Sequence, residues 1–235
     1  MAHSRTVNEL FYKQKPDNLL ANVKFVDNVK CVFDWCAKNL LLFTAYFLSR
    51  ARVSWRDCQP DTCQRIYFAN HSSHLDAIVI WAALPGFVRE KTRLIAAKDY
   101  WDAGPIRRYI SKRLFNAILI DRDNVSIKNT PVKVMIDEMK NVYSIVMFPE
   151  GGRSNGDEIG EFKSGLYHMS KKRPDLELIP IYLDNMSRIL PRGKTLPVPM
   201  LSRVVFGPPI WLEDGEKRDD FLKRARQAVL NLKEG

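Results

Sequence analysis

Ile66-Tyr67-Phe68-Ala69-Asn70-His71-Ser72-Ser73-His74-Leu75-Asp76, followed by the apolar run Ala77-Ile78-Val79-Ile80-Trp81-Ala82-Ala83-Leu84, holds three kinds of structure in order. Residues 66–69 are aromatic and aliphatic, as a buried strand requires, and residues 77–84 are apolar over two helical turns. Between them lies a polar turn. A strand that ends in polar side chains and passes directly into a helix is half of a βα unit. In a sheet of such units, the polar residues at the strand's carboxyl end face the ligand crevice.

The same alternation continues along the chain. Short β-rich runs at 94–97, 117–120, 144–148, 178–182 and 203–206 are separated by helical stretches, which predicts an α/β sheet with helices on its faces. Thr130 followed by Pro131 reads as a helix cap and first helical position, with the helix ending near Asn141. Phe221, Leu222, Ala225, Val229 and Leu232 recur at helical spacing and mark a closing amphipathic helix. The chain has 235 residues, 46% of them hydrophobic, and no internal repeat. That is material for one α/β domain with a central mixed sheet, placed at residues 61–235.

Residues 1–60 read differently, as an amphipathic helical segment that associates with a membrane. Their most apolar run, residues 40–48, is about half of the roughly 20 residues a spanning helix needs. Extending it meets Asp34 and Lys38 on one side and Arg50, Arg52 and Arg56 on the other. Over residues 23–55 aromatic and aliphatic side chains interleave with cations, which suits a helix or helix pair lying in the interface; packing onto the core is the alternative. The net charge of +10 draws the protein to polyanions, and nucleic acid, an anionic lipid surface and a phosphate-bearing small molecule all qualify. Cys31, Cys36, Cys58 and Cys63 lack the spacing of a zinc ribbon, and the N-terminus lacks a secretory leader, so a reduced, intracellular protein is expected.

His71 and Asp76 are the types a general base requires. A neutral imidazole takes a proton from an alcohol near pH 7, and a carboxylate on its other nitrogen fixes the tautomer. Five residues is an awkward separation within one helix, so the pair needs a loop and a helix start near Ser73. Ser73 with Asp76 also fits a capping box, in which the carboxylate serves backbone donors only. A second constellation, Phe148-Pro149-Glu150-Gly151-Gly152-Arg153-Ser154, again follows a β-rich run. Its glycines admit a close ligand, and an arginine fork matches phosphate oxygens. Glu150 is placed to hold Arg153 or to accept from a hydroxyl; a tight turn with a solvated ion pair is the plainer reading.

Together, the His71-to-Asp76 spacing preceded by Asn70 and the Phe-Pro-Glu-Gly-Gly-Arg-Ser block resemble the 1-acylglycerol-3-phosphate acyltransferases and their glycerolipid relatives. Ile118-Leu119-Ile120-Asp121-Arg122 and Leu178-Ile179-Pro180-Ile181 match two further blocks in the family's order, and the resemblance covers about residues 61–210. It implies that His71 is the general base and Asp76 its orienting partner. It also implies that Arg122, Glu150, Gly151 and Arg153, with Lys98 as a softer match, receive the acceptor's glycerol phosphate. Backbone amides near the helix start are the expected oxyanion donors. The implied reaction moves a fatty acyl group from acyl-CoA or acyl-carrier protein to the hydroxyl of a lysophospholipid, giving phosphatidate in phospholipid biosynthesis, with no metal and no cofactor. It would run at the cytoplasmic side of a membrane, the protein bound peripherally or monotopically to an anionic surface. Gly152 departs from the family, which commonly has threonine there.

Other features lead elsewhere. Gly193-Lys194-Thr195 resembles the end of a phosphate-binding loop, but Arg188 stands where the leading glycine belongs. The clusters Arg107, Arg108, Lys112, Arg113 and Lys171, Lys172, Arg173 read as solvated faces, or as steering for headgroups, coenzyme phosphates or an acidic carrier. A basic α/β module that binds nucleic acid explains the charge, yet no nucleic-acid motif accompanies it and both constellations would be idle. An acyltransferase acting on another lysolipid or lipid alcohol remains open.

Overall fold

The computed structural model describes residues 16–121, 130–154, 158–190 and 196–234, with residues 16–27 as helical backbone alone. Helix α1 (Pro16–Ser49) leads to strands β1 (Arg52–Trp55) and β2 (Arg65–Ala69). Helices α2 (Asp76–Ala83) and α3 (Gly86–Arg89) follow, then β3 (Thr92–Ala97), α4 (Lys98–Trp101) and α5 (Pro105–Tyr109), which continues as a π-helical turn, Ile110–Leu114. The remainder is β4 (Ile118–Ile120), α6 (Pro131–Met139), β5 (Ser144–Met147), α7 (Gly165–Lys172), β6 (Glu177–Asp184), α8 (Met186–Ile189), β7 (Arg203–Phe206) and α9 (Arg218–Asn231). The chain divides into two compact units at Leu41 and Leu42.

The second unit is built on a seven-stranded sheet in the order β1-β7-β6-β2-β5-β3-β4. Strands β6, β2, β5, β3 and β4 are mutually parallel, whereas β7 runs antiparallel to β6, so the sheet is mixed, as expected. Every residue of β2 and β5 is buried. Central strands covered on both faces must be apolar throughout, which is why these two runs are continuous rather than alternating. On one face Ile66, Phe68, Ile145 and Met147 form a single core with Met135 and Met139 of α6, Leu166 and Met169 of α7, and Phe221 of α9. Helix α6 begins where predicted, Thr130 Oγ1 accepting from Lys133 N at 3.3 Å with Pro131 behind it.

The strand order locates the crevice. From β2 the chain crosses β5 to reach β3, and from β5 it crosses back over β2 to reach β6. Right-handed crossovers in opposite directions lie on opposite faces, and strands whose connections part in this way are where α/β sheets place ligand sites, at the carboxyl ends of β2 and β5.

Two expectations for the N-terminal segment are corrected. Residues 52–55, expected to be helical, form the edge strand β1, parallel to β7. Only Trp55 is half-buried there, its ring stacked on Phe206 at 3.9 Å. The apolar stretch is also longer than residues 40–48, because α1 passes through Asp34 and Lys38 without a break. Asn28–Ser49, 22 residues of mean hydropathy 1.3, is long and apolar enough to cross a membrane by length and composition. At 1.5 Å per residue it extends about 33 Å. Val32, Phe33, Trp35, Leu40 and Phe43 are exposed along it. Its last turn belongs to the second unit, where Tyr46 Oη donates to Ala82 O at 2.6 Å and Met200 N to Leu48 O at 3.1 Å.

Candidate active site

Asn70 fixes the point at which β2 ends. Its buried side-chain amide donates to Leu183 O at 2.9 Å and accepts from Leu183 N at 2.8 Å, which reproduces a peptide pairing with β6. The next residue therefore leaves the sheet in a defined direction.

That residue is His71, and it is held on every side. Its backbone N donates to Glu150 Oε1 at 2.7 Å, and its carbonyl accepts from Ser154 N at 2.8 Å and Ser154 Oγ at 3.0 Å. The imidazole stacks on Phe148 at 4.1 Å between centroids. Nδ1 lies 2.9 Å from Asp76 Oδ2. Since a carboxylate only accepts, Nδ1 carries the proton and Nε2 presents a lone pair. Among the described residues Nε2 has no hydrogen-bond partner, and the side chain is 21% exposed. The nitrogen able to take a proton is the one that none of the described residues engages.

Asp76 serves more than the imidazole. Besides the imidazole, Oδ2 accepts from Ser72 N at 2.7 Å and Ser73 N at 2.9 Å, so the carboxylate serves backbone donors as well, although Leu75 rather than Ser73 is the helix's N-cap and no capping box forms. Residues 72–75 form a turn and the first helical residue is Asp76, slightly later than the expected start near Ser73. That turn folds the two side chains together across five positions. One expectation fails here: the Ser72 and Ser73 amides are taken by Asp76, and Leu75 N donates to Ser73 Oγ at 3.3 Å, so these amides do not face an oxyanion.

Glu150 joins the two motifs. Oε1 accepts from His71 N, and Oε2 accepts from Gly160 N at 2.9 Å. A Cβ at Gly160 would lie 2.8 Å from Oε2, so only glycine permits this approach. Burial raises the Glu150 carboxyl above its ordinary pKa, against the two amides, which favour its charged form. No Glu150–Arg153 ion pair forms among the described residues. Gly151 closes a tight turn, its N donating to Phe148 O at 3.0 Å, with φ +69 that favours glycine. Arg153 is half-buried and makes no hydrogen bond or ion pair among the described residues. Its positive charge acts on His74, whose imidazole is held below its ordinary pKa first by burial and then by Arg153. His74 itself stacks on Tyr100 at 4.6 Å, and Arg107 covers the Tyr100 ring at 4.3 Å.

Lys98 directly follows β3. Its Nζ lies 3.1 Å from Asp121 Oδ2, at a hollow of about 380 Å³ on the β3–β4 side of the sheet, walled also by Ile118, Ile120 and Val134. Arg122 and the segment Gly193-Lys194-Thr195 lie outside the described residues. The two constellations thus leave the carboxyl ends of the neighbouring strands β2 and β5, and Lys98 that of β3 beside them, whereas the block at 118–122 begins as β4 and the block at 178–181 lies within β6. What spacing alone did not reveal is the support around His71: the Phe148 stack, the Ser154 bonds and the Gly160 amide.

The architecture is that of an α/β enzyme fold carrying a His–Asp pair at its switch point. The chain belongs to the Acyltransferase family, whose model matches residues 50–184, more than half of it. The 1-acyl-sn-glycerol-3-phosphate acyltransferase of Limnanthes alba is 32% identical over 166 residues, 67% of this chain and 55% of that protein. The alpha form of Mus musculus is 26% identical over 166 residues, 68% of this chain and 53% of that protein. The chain spans about half the length of the curated relatives it matches. The crystal structure of the 1-acyl-sn-glycerophosphate (LPA) acyltransferase PlsC from Thermotoga maritima has the same fold, with TM-score 0.65 at 16% identity, covering 92% of each chain.

Proposed function

We propose that this protein transfers a fatty acyl group from an acyl thioester, acyl-CoA or acyl-carrier protein, to the free hydroxyl of 1-acylglycerol-3-phosphate, giving phosphatidate. The observation that carries the reading is His71, held by Asp76, Glu150, Phe148 and Ser154, with Nε2 and the nearby motif residue Arg153 both without a hydrogen-bond partner among the described residues. The relatives' names favour the lysophosphatidate acceptor.

Arg153, with Arg122 and Lys98 as further candidates, holds the acceptor's phosphate and so brings its hydroxyl to Nε2, replacing a random encounter with an oriented one. Nε2 takes the hydroxyl proton as the oxygen attacks the thioester carbonyl. The carbon–sulfur bond then breaks, and the proton passes to the departing thiolate. No covalent enzyme intermediate is required. The exposed apolar face of α1 anchors the enzyme at the cytoplasmic side of an anionic membrane, where acceptor and product reside.

The test is one panel of lysophosphatidate, other lysophospholipids and glycerol 3-phosphate, each assayed with labelled acyl-CoA and with acyl-carrier protein, with His71→Ala as control. A diacylated product that depends on His71 supports the reading. Nucleic-acid binding without acyl transfer would replace it by the basic-module alternative.

A further inference from the structure

Six consecutive apolar residues, Leu196-Pro197-Val198-Pro199-Met200-Leu201, lie outside every motif block and outside the core. A loop that faces water is polar as a rule, yet Leu196 is 82% exposed and Val198, Pro199 and Leu201 are exposed beside it. Pro197 and Pro199 have no N–H to donate. The donors that alternate with them turn inward: Val198 N to Ile189 O at 2.8 Å, Met200 N to Leu48 O at 3.1 Å and Ser202 N to Ser49 O at 3.0 Å. Engaging these donors within the protein removes a penalty that hydrocarbon would otherwise impose on them. What the loop offers outward is apolar side chains.

The topology sets this loop at one end of the sheet. Strand β7 runs antiparallel to β6 and parallel to β1, so the segments entering β7 and β1 both lie at the carboxyl ends of β6 and β2. His71 leaves the sheet at that same end, and Ser73 Oγ donates to Leu190 O, six residues before the loop, at 3.4 Å. The bonds to Leu48 and Ser49 bring the loop against the last turns of α1. There Ala45 and Ser49 are buried, while Phe43 and Phe47, stacked at 6.2 Å between centroids, are exposed.

Charge and continuity select the partner. Residues 42–54 and 185–202 contain no Asp or Glu. Arg50, Arg52 and Arg188 are exposed at this edge, and Asp184, which ends β6, is already bonded to Arg203 at 3.0 Å. Apolar side chains rimmed by cations match an anionic lipid surface. The stretch apolar enough to cross a membrane ends at Ser49. Whether such a helix spans or lies in plane, its end meets the membrane interface, and the loop bonded to that end meets it too.

We infer that residues 196–201 are a second membrane contact, carried by the α/β domain itself, which seats the carboxyl end of the sheet on an anionic bilayer beside the end of α1. This rests on the membrane reading of α1 and is independent of the acyl transfer.

The experiment uses the full chain with its native cysteines replaced by alanine and one environment-sensitive fluorophore attached at Val198→Cys, Phe43→Cys or Val142→Cys. Val142, exposed just before β5, lies at the opposite end of the sheet, because β5 is parallel to β2. In vesicles of phosphatidylcholine with phosphatidylglycerol, labels at 198 and 43 should shift their emission to the blue and lose intensity to spin-labelled acyl chains. The label at 142 should do neither, and the response at 198 should shrink in phosphatidylcholine alone. A label at 43 that responds while 198 stays in water overturns the second contact and leaves the reading of α1 standing. Silence at both positions removes both. A response at 142 equal to that at 198 denies that one end of the sheet is seated. An equal response in neutral vesicles overturns the anionic partner. A blue shift at 198 that is present without vesicles and grows with protein concentration gives the patch to a second copy of this chain instead. Because every readout is taken without turnover, absence of acyl transfer would remove the proposed reaction and leave these results unchanged.

Discussion

His71 Nδ1 lies 2.9 Å from Asp76 Oδ2, and the same oxygen caps the amides of Ser72 and Ser73. One atom therefore shapes the turn and orients the imidazole. Asp76→Asn keeps the volume but turns an amide toward donors, or its NH2 toward Nδ1, which reverses the tautomer. It should lower kcat by about two to four orders of magnitude, as His71→Ala should. The check is steady-state kinetics beside circular dichroism; near-normal turnover in either variant would remove the pair from the mechanism.

Glu150 tests whether the base must be held by its backbone. Glu150→Gln sets an NH2 against either the His71 or the Gly160 amide, and leaving a buried donor unpaired costs about 1–3 kcal/mol at neutral pH. Since burial raises its pKa above the ordinary 4.5, the native state binds the proton more tightly than the unfolded chain. The wild type therefore loses stability as pH rises from 4.5 through the native value, a slope that the glutamine variant lacks. Urea denaturation from pH 4 to 7 should show the gap between the two narrowing as pH increases. A gap that widens instead would mean the amides outweigh burial.

Much of this was readable in advance, for identifiable reasons. Strands β2 and β5 are legible because double-sided burial makes them continuously apolar, and their carboxyl ends follow from the βα pattern. Strand β1 was missed because four residues flanked by arginines carry no period, and only its pairing with β7 makes it a strand. The extent of α1 was hidden by Asp34 and Lys38, which interrupt the apolar window without interrupting the helix. Glu150 was expected to face Arg153 or a substrate. Its second partner, Gly160, lies ten residues on, and no local spacing rule links a carboxylate to an amide at that distance.

Core packing gives a test independent of catalysis. Leu166 is fully buried between the sheet and α7's neighbours. Leu166→Ala should destabilise the fold by about 2–5 kcal/mol through lost burial and a residual cavity. Denaturant midpoints measure it, and a change below about 0.5 kcal/mol, the usual surface value, would contradict the assigned core.

Arg153→Ala should raise the KM for a phosphate-bearing acceptor about tenfold or more, and change kcat less, because the lost contact acts on binding. An equal loss with monoacylglycerol, which has no phosphate, would show that the guanidinium acts elsewhere.

Gly152 offers a gain rather than a loss. A Cβ there meets nothing within 4 Å, and its φ is not in the left-handed region, unlike that of Gly151. Threonine, the residue common at this position in the family, therefore fits without displacing a neighbour or straining the backbone. Gly152→Thr should change stability by no more than about 0.5 kcal/mol, the usual range for an exposed site. Its hydroxyl would add one donor beside Arg153, so any effect should appear as a lower acceptor KM, by about two- to tenfold for a neutral hydrogen bond. Kinetics across the acceptor panel measure it. If KM falls equally for phosphate-bearing and phosphate-free acceptors, the hydroxyl meets the glycerol; if it falls only for the former, it meets the phosphate. An unchanged KM throughout would place residue 152 outside the acceptor's reach.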